Sequence, residues 1–251
     1  MNRAQFLLTV QRRKASTVNR RMAALSAYVR WARFEGKIEG DPTENIKSVP
    51  QVSKAPKWLD KNDQYALQRA IERDVQLSKL HYPKRWVTRR RDASLVLLLL
   101  HTGLRLSEAT ALRLTDIKMT DRKGSVSVQN GKGGKQRSIP LNADARKAME
   151  EWLAVRPSGT SNYLWVAVEA DTEGLSSRAV QRVFQRYGKD AKLDDLTPHV
   201  CRHTFAKNLV ESGVGLEMVA ALLGHANLNT TRLYTTPDER DLEKAVERLE
   251  G

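Results

Sequence analysis

From Ser16 to Gly36, Val18, Met22, Leu25, Val29 and Ala32 recur every three or four residues, while Arg20, Arg21, Arg30 and Arg33 fall mostly off that stripe. Such spacing predicts one amphipathic helix, with Ser16 or Thr17 capping its start and Gly36 closing it. Residues 40–60, "GDPTENIKSVPQVSKAPKWLD", hold Pro42, Pro50 and Pro56 around a polar, extended centre. They read as a linker, with a domain boundary near residue 55. Asp60 reads as the cap of the first helix beyond it. "ASLVLLLLHTG", residues 93–103, is apolar on every side and predicts a helix buried in the core. "SEATALRL" continues as another helix. "GSVSVQN" and "KQRSIPL" alternate apolar with polar positions and are joined by "GKGG", which predicts a β-hairpin. Helices return over 142–155, 176–188, 198–212, 215–223 and 238–250, and "NYLWVAV" reads as one more short strand. The expected fold is mainly α with a small antiparallel β-sheet (α+β), in two parts, 1–55 and 56–251.

Composition narrows what such a fold does. The 251 residues carry 43 Lys and Arg against 29 acids, a net charge of +14 and a pI near 10.0. An excess of that size points to a polyanionic partner, most simply nucleic acid, because each neutralised phosphate releases counterions. A surface that is basic without purpose is the alternative, and an acidic membrane a weaker one, since no amphipathic helix with a bulky apolar face stands out. The longest apolar run, Leu95–Leu100, is far too short to span a bilayer. "MNRAQFLLTVQRRK" has neither the apolar core nor the cleavage site of a signal peptide. Cys201 is the one cysteine, so no intrachain disulfide forms, which fits a cytoplasmic, reducing setting.

Four segments hold residues suited to phosphate chemistry. In "TPHVCRHTFAKNLVESG", residues 197–213, Thr197 caps a helix, Pro198 sits at its first position and Gly213 ends it. His199 and Arg202 stand three apart on its first turn, beside free backbone N–H groups and the positive end of the dipole. In "HTGLRLSEATAL", residues 101–112, Arg105 follows a glycine break between apolar helices. A buried arginine needs an anionic partner, and Glu108, one turn on, supplies one. Equally, a guanidinium fork suits two oxygens of one phosphate. "NGKGGKQRSIPL", residues 130–141, places Lys132 and Lys135 on a glycine hairpin whose spacing is not that of a nucleotide-binding P-loop. It is either an exposed basic turn or a lysine delivered to a phosphate. "LLGHANLNTTRLYT", residues 222–235, ends a helix on Gly224 and sets His225 and Tyr234 nine residues apart.

In that order, Arg105 in "TGLRLSE", Lys132 in "GKGGKQRSIPL", His199 and Arg202 in "HVCRHTFA", His225 in "LLGH" and Tyr234 in "TRLYT" resemble the signature of the tyrosine recombinase (phage integrase) family. The five boxes cover about residues 60–240. The resemblance implies a tyrosine recombinase catalytic fold over 56–251, preceded in 1–55 by a partial helical core-binding domain and linker. That domain departs from the family pattern of four or more helices, since one long helix is legible. Catalytic roles are implied for Arg105, Lys132, His199, Arg202, His225 and Tyr234, with Glu108 and His203 in support. DNA contacts are expected from Lys135, Arg137, Arg20, Arg21 and Arg30.

The implied reaction is attack by Tyr234 on a DNA phosphodiester, which keeps the bond energy in a covalent link. A phenol of pKa about 10 is ionised in roughly one molecule per thousand at neutral pH, a deficit of about 4 kcal/mol that surrounding cations must offset. Arg105, Arg202 and His225 would bind the phosphate, His199 would handle the phenolic proton and Lys132, with Lys135 as the alternative, would protonate the leaving 5′ oxygen. A 3′-phosphotyrosine and a free 5′ hydroxyl result, and neither metal, ATP nor any other cofactor is called for. No carboxylate cluster or Cys/His zinc spacing appears; "LDDL" and "PDERD" read as helix-end and surface acids. By resemblance the partners are double-stranded DNA with recombination-site repeats and further copies of the chain, four on two duplexes, with 238–250 docking in trans or in cis. A type IB topoisomerase-like nicking-closing enzyme and a catalytically silent DNA-binding regulator are the alternatives.

Overall fold

The computed structural model describes residues 13–51, 56–129, 136–159, 161–167, 174–225 and 228–235. The chain divides into two compact units, Met1–Ala55 and Pro56–Gly251. In the first, helix α1 spans Ala15–Phe34 and buries Val18, Val29 and Ala32. It starts earlier than the sequence pattern suggests: Lys14 is the cap residue and makes no side-chain capping bond, so neither Ser16 nor Thr17 caps it. Gly36 does close it, at φ +67°, while Lys37 N–H reaches back to Ala32 O. Asn19 donates to Val49 O and accepts from Val49 N–H, both at 2.8 Å, which pins the chain after the helix beside Val18.

The second unit is built on two long antiparallel helices, α2 (Lys61–His81) and α3 (Pro83–Thr102). Asp60 caps α2 by accepting from Asp63 N–H. From Arg91 onwards α3 is buried almost throughout, as its all-round apolar sequence requires. Short helix α4 (Leu106–Ala111) comes after a left-handed turn at Gly103, and then a three-stranded antiparallel sheet is laid down in the order β1 (Ile117–Met119), β2 (Gly124–Val128), β3 (Arg137–Pro140). Val126 faces Ile139 across the hairpin and Ile117 on the other side. β1 has only three residues, too few for alternation to reveal it. Helices α5 (Ala143–Leu153), α6 (Ser177–Ala191), α7 (Pro198–Glu211), α8 (Leu216–Leu223) and the short α9 (Asn229–Arg232) complete the unit. Asn142, Ser176 and Thr197 cap α5, α6 and α7 with their side chains.

Two expectations change. "NYLWVAV" is not a strand among the described residues: Tyr163 and Val166 make single bridges to Arg113 and Gly174. Its backbone pairs with the tight turn at Leu114–Asp116, which curls away and cannot extend a ladder. Leu164, Trp165 and Val166 are buried instead, Trp165 stacking on Trp152 at 6.2 Å. The helix expected over 238–250 lies outside the described residues.

Gly103 is the joint between the buried helix and the segment that carries Arg105. At φ +60° it turns the chain from α3 into α4, and a Cβ there would stand 2.5 Å from Phe205 and 2.9 Å from Leu223. Gly103→Ala is expected to lower the unfolding free energy by about 2–4 kcal/mol, combining left-handed strain with overpacking. Urea unfolding of both proteins checks this, and a loss below about 1 kcal/mol would contradict it.

Candidate active site

Helix α8 ends at Leu223, and its last carbonyls have no partner within the helix. Three arginines from three other elements take them in turn. Arg137, the first residue of β3, donates Nε–H to Leu222 O at 2.9 Å. Arg202, from α7, donates Nη2–H to Leu223 O at 2.7 Å and Nη1–H to Gly103 O at 2.6 Å. Arg105, just before α4, donates Nη2–H to Gly224 O at 3.1 Å. The negative end of a helix dipole thus meets three cations. Gly224, left-handed at φ +67°, permits the approach: a Cβ there would lie 2.7 Å from Arg137 Nη1.

Glu108 completes the cluster. Its carboxylate accepts from Arg137 through both oxygens, at 3.0 and 2.7 Å, from Arg105 Nη1 at 2.9 Å and from the Arg105 backbone N–H at 2.8 Å. Burial alone would raise its pKa, but the bonds from Arg137 and Arg105 outweigh it and hold it below the usual carboxylate value. Burial, reinforced by Arg105, pulls the Arg202 pKa down to about 10, which still leaves it charged at neutral pH. The Arg202 side chain is buried, whereas that of Arg105 is 40% exposed and open to an incoming anion.

The other candidates gather round this cluster. Tyr234 is only 2% exposed and packs among Ala206, Val219 and Leu223. Its hydroxyl lies 2.9 Å from His203 Nδ1. Burial raises the phenol pKa, with Arg202 opposing the shift. Burial lowers that of His203, helped by His199 and Arg202, so the ring is neutral and can accept a proton. His225 contacts the Thr231 hydroxyl through Nδ1 at 2.9 Å. Burial and then the positive charge of Arg202 pull its pKa down to about 4.

Two site expectations need revision. His199 was expected beside the phenol, but it stands exposed at the start of α7, and the hydroxyl pairs with His203. One helical turn therefore does not put His199 and Arg202 in one environment: the core takes Arg202 and solvent takes His199. Arg137, expected to face DNA, is turned inward, its side chain 13% exposed and its guanidinium spent on Glu108 and Leu222 O. Arg20, Arg21 and Arg30 are exposed on α1, in the other unit. Lys132 and Lys135 lie outside the described residues. Thr231 was missed, since nothing in "NTTR" distinguishes it before burial does. Among the described residues, no group of three or more His, Cys, Asp or Glu is placed to hold a metal, and no helix is long and apolar enough to cross a membrane.

Residues 69–240, which contain this whole arrangement, match the model of the phage integrase family. The chain belongs to that family. The tyrosine recombinase XerA of Pyrococcus furiosus is 35% identical over 234 residues, which cover 92% of this chain and 73% of XerA. Tyrosine recombinase XerD of Ralstonia nicotianae is 33% identical over 227 residues, 88% of this chain and 69% of XerD. The recombinase XerH, solved bound to palindromic difH substrate in a post-cleavage complex, superposes with a TM-score of 0.78 at 25% identity, covering 99% of this chain and 71% of XerH. A lambda integrase dimer bound to a core site shares the fold, with a TM-score of 0.69 at 20% identity over 94% of this chain and 79% of the integrase chain. This phage integrase family member is a tyrosine-type site-specific recombinase.

The shifted histidines make stability depend on pH. Between the ordinary imidazole value of 6.5 and about 4, the unfolded chain binds a proton at His225 that the folded chain refuses. Stability is therefore full above that window and falls as the pH drops through it. His203, shifted the same way, adds to the slope. Denaturant unfolding at neutral and mildly acidic pH should show a smaller acid loss for His225→Gln than for the unsubstituted protein; equal losses would refute the assignment.

Proposed function

We propose that this recombinase cuts one DNA strand at a time through Tyr234, forming a 3′-phosphotyrosine and releasing a 5′ hydroxyl. One observation supports the reading above the rest. The Tyr234 hydroxyl is held on a neutral imidazole, His203, inside a cluster whose Arg202 and Arg105 already act on each other, on His225 and on the same helix end. A phenol, a proton acceptor and two guanidiniums are what an in-line attack on a phosphodiester needs.

In the proposed step, the phenol oxygen bonds to phosphorus, its proton passes to His203, and the bond to the 5′ oxygen breaks. Arg105 and Arg202 take the non-bridging oxygens and stabilise the charge that grows there. With the Thr231 hydroxyl donating to Nδ1, the His225 proton sits on Nε2, available to a phosphate oxygen. His199, exposed at the α7 N-terminus, joins the phosphate side. Lys132, or Lys135 on the same hairpin, returns a proton to the departing oxygen. Rejoining is the same step reversed, with the 5′ hydroxyl of a partner strand as nucleophile, so the energy stays in the phosphotyrosine link.

The proposed substrate is double-stranded DNA carrying recombination-site repeats, held by the net charge of +14. Residues 1–55 would contribute a helical core-binding unit, with Arg20, Arg21 and Arg30 as phosphate contacts. Four copies would act on two duplexes inside the cell, as expected of a recombinase that exchanges strands.

The test is covalent capture. A nicked duplex lets the 5′ product diffuse away and traps the adduct, which is then denatured, mapped and its DNA sequenced. Tyr234→Phe should fold, bind DNA and give no adduct. The ring is kept, so stability should change by less than about 1 kcal/mol. An adduct of equal yield from Tyr234→Phe would sink the mechanism. On the same substrate Lys132→Ala should cut slowly and recover when the 5′ bridging oxygen is sulfur, because a thiolate leaves without a proton. Recovery by Lys135→Ala alone would move the role to Lys135.

A further inference from the structure

The proposed mechanism leaves one buried cation of the cluster without a task. Arg137 sits at the foot of β3, and its three polar groups all point inward: Nε to Leu222 O, and the two terminal nitrogens to the two oxygens of Glu108. The pair is bidentate and well buried, at 13% and 8% side-chain exposure, so it is held in one geometry. The Arg105 guanidinium shares the same carboxylate through a single contact, Nη1 to Oε1, and is far more exposed.

One carboxylate cannot neutralise two guanidiniums. Arg137 approaches both oxygens of Glu108 and Arg105 approaches one. The charge of Glu108 is thus largely satisfied by Arg137, and the charge of Arg105 remains for an anion arriving on its open side. If Arg137 were neutral, Glu108 would have Arg105 as its sole cationic partner, and their existing ion pair would take up the whole carboxylate charge. The site would still contain Arg105, yet one positive charge fewer would face the phosphate. Arg137 also holds Leu222 O, next to the carbonyls that Arg202 and Arg105 hold, so it keeps Gly224 and His225 in register with both.

We infer that Arg137 is a positioning residue for strand cleavage: by occupying Glu108 it keeps the charge of Arg105 free for the scissile phosphate. It acts through Glu108 and Arg105 and does not touch DNA. This inference rests on Tyr234 being the nucleophile and Arg105 a phosphate ligand. It concerns charge on the non-bridging oxygens, so it separates from any effect on the leaving group.

The experiment measures adduct formation under single-turnover conditions on two nicked duplexes of the sequence recovered from wild-type adducts. One carries an ordinary scissile phosphate and the other a methylphosphonate, whose non-bridging position is uncharged. Arg137→Gln should be about 10- to 100-fold slower on the phosphate. Its loss on the methylphosphonate should be at least about tenfold smaller, because a neutral group makes less demand on the missing charge. The ratio is taken within one protein, so a partly unfolded sample cancels. A 5′ bridging sulfur should not rescue it. Adding Glu108→Gln should restore cleavage at least about tenfold over Arg137→Gln, since it removes the charge that captures Arg105. If the single variant does not fold, the double variant decides alone: cleavage within about tenfold of wild type supports the role and absent cleavage overturns it. Wild-type speed for Arg137→Gln, or an equal loss on both substrates, overturns it too. If the wild-type protein forms no adduct, or forms it at another residue, the Tyr234 reading falls first and takes this inference with it.

Discussion

Three consecutive carbonyls at the end of α8 each accept from a different arginine, and that contact organises the site. A helix C-terminus presents unpaired acceptors and partial negative charge. Here Leu222, Leu223 and Gly224 offer them to Arg137, Arg202 and Arg105, which come from β3, α7 and the start of α4. Like charges repel, and Arg105 contributes to the lowered pKa of Arg202. The carbonyls and Glu108 offset that repulsion. Glu108, shared by Arg137 and Arg105, and Gly103 O, held by Arg202, cross-link the same elements.

The same crowding sets the protonation of the neighbours. His225 and His203 lie where burial and nearby cations disfavour a further positive charge, so both rest neutral. The Tyr234 phenol is buried and harder to ionise than in water, though Arg202 opposes the shift. At rest, then, the phenol is protonated and the imidazole beside it is neutral. On the proposed mechanism, an anionic phosphate would change that balance, since it would neutralise the arginines that add to the effect of burial on the histidines.

Glycine is needed at the two joints of this arrangement for the same reason. Gly103 and Gly224 both adopt left-handed backbone, and both lie where a Cβ would strike a neighbour, Phe205 in one case and the Arg137 guanidinium in the other. Each lies one or two residues before a candidate site residue, Arg105 or His225. The close approach of backbone to arginine depends on the missing side chains.

Legibility in the chain depends on which forces are local. The all-round apolar run of α3, the capping residues Asp60, Asn142, Ser176 and Thr197, and the alternation of β2 and β3 are local signals, and each element forms where they stand. The ordered boxes around Arg105, Arg202, His225 and Tyr234 are likewise legible, because chemistry restricts the residue type at each position. Partnership is not local. That His203 rather than His199 meets the phenol depends on how α7 is rotated against the segment bearing Tyr234. That Arg137 faces Glu108 rather than solvent depends on where the foot of β3 meets α4 and α8. Thr231 acquires its role only by being buried beside His225. The sequence by itself determined the elements and the reactive residue types, since spacing and caps act within a few residues. Which imidazole, which guanidinium and which carbonyl meet was decided by packing between elements far apart in the chain, where burial turns a small rotation into a different partner.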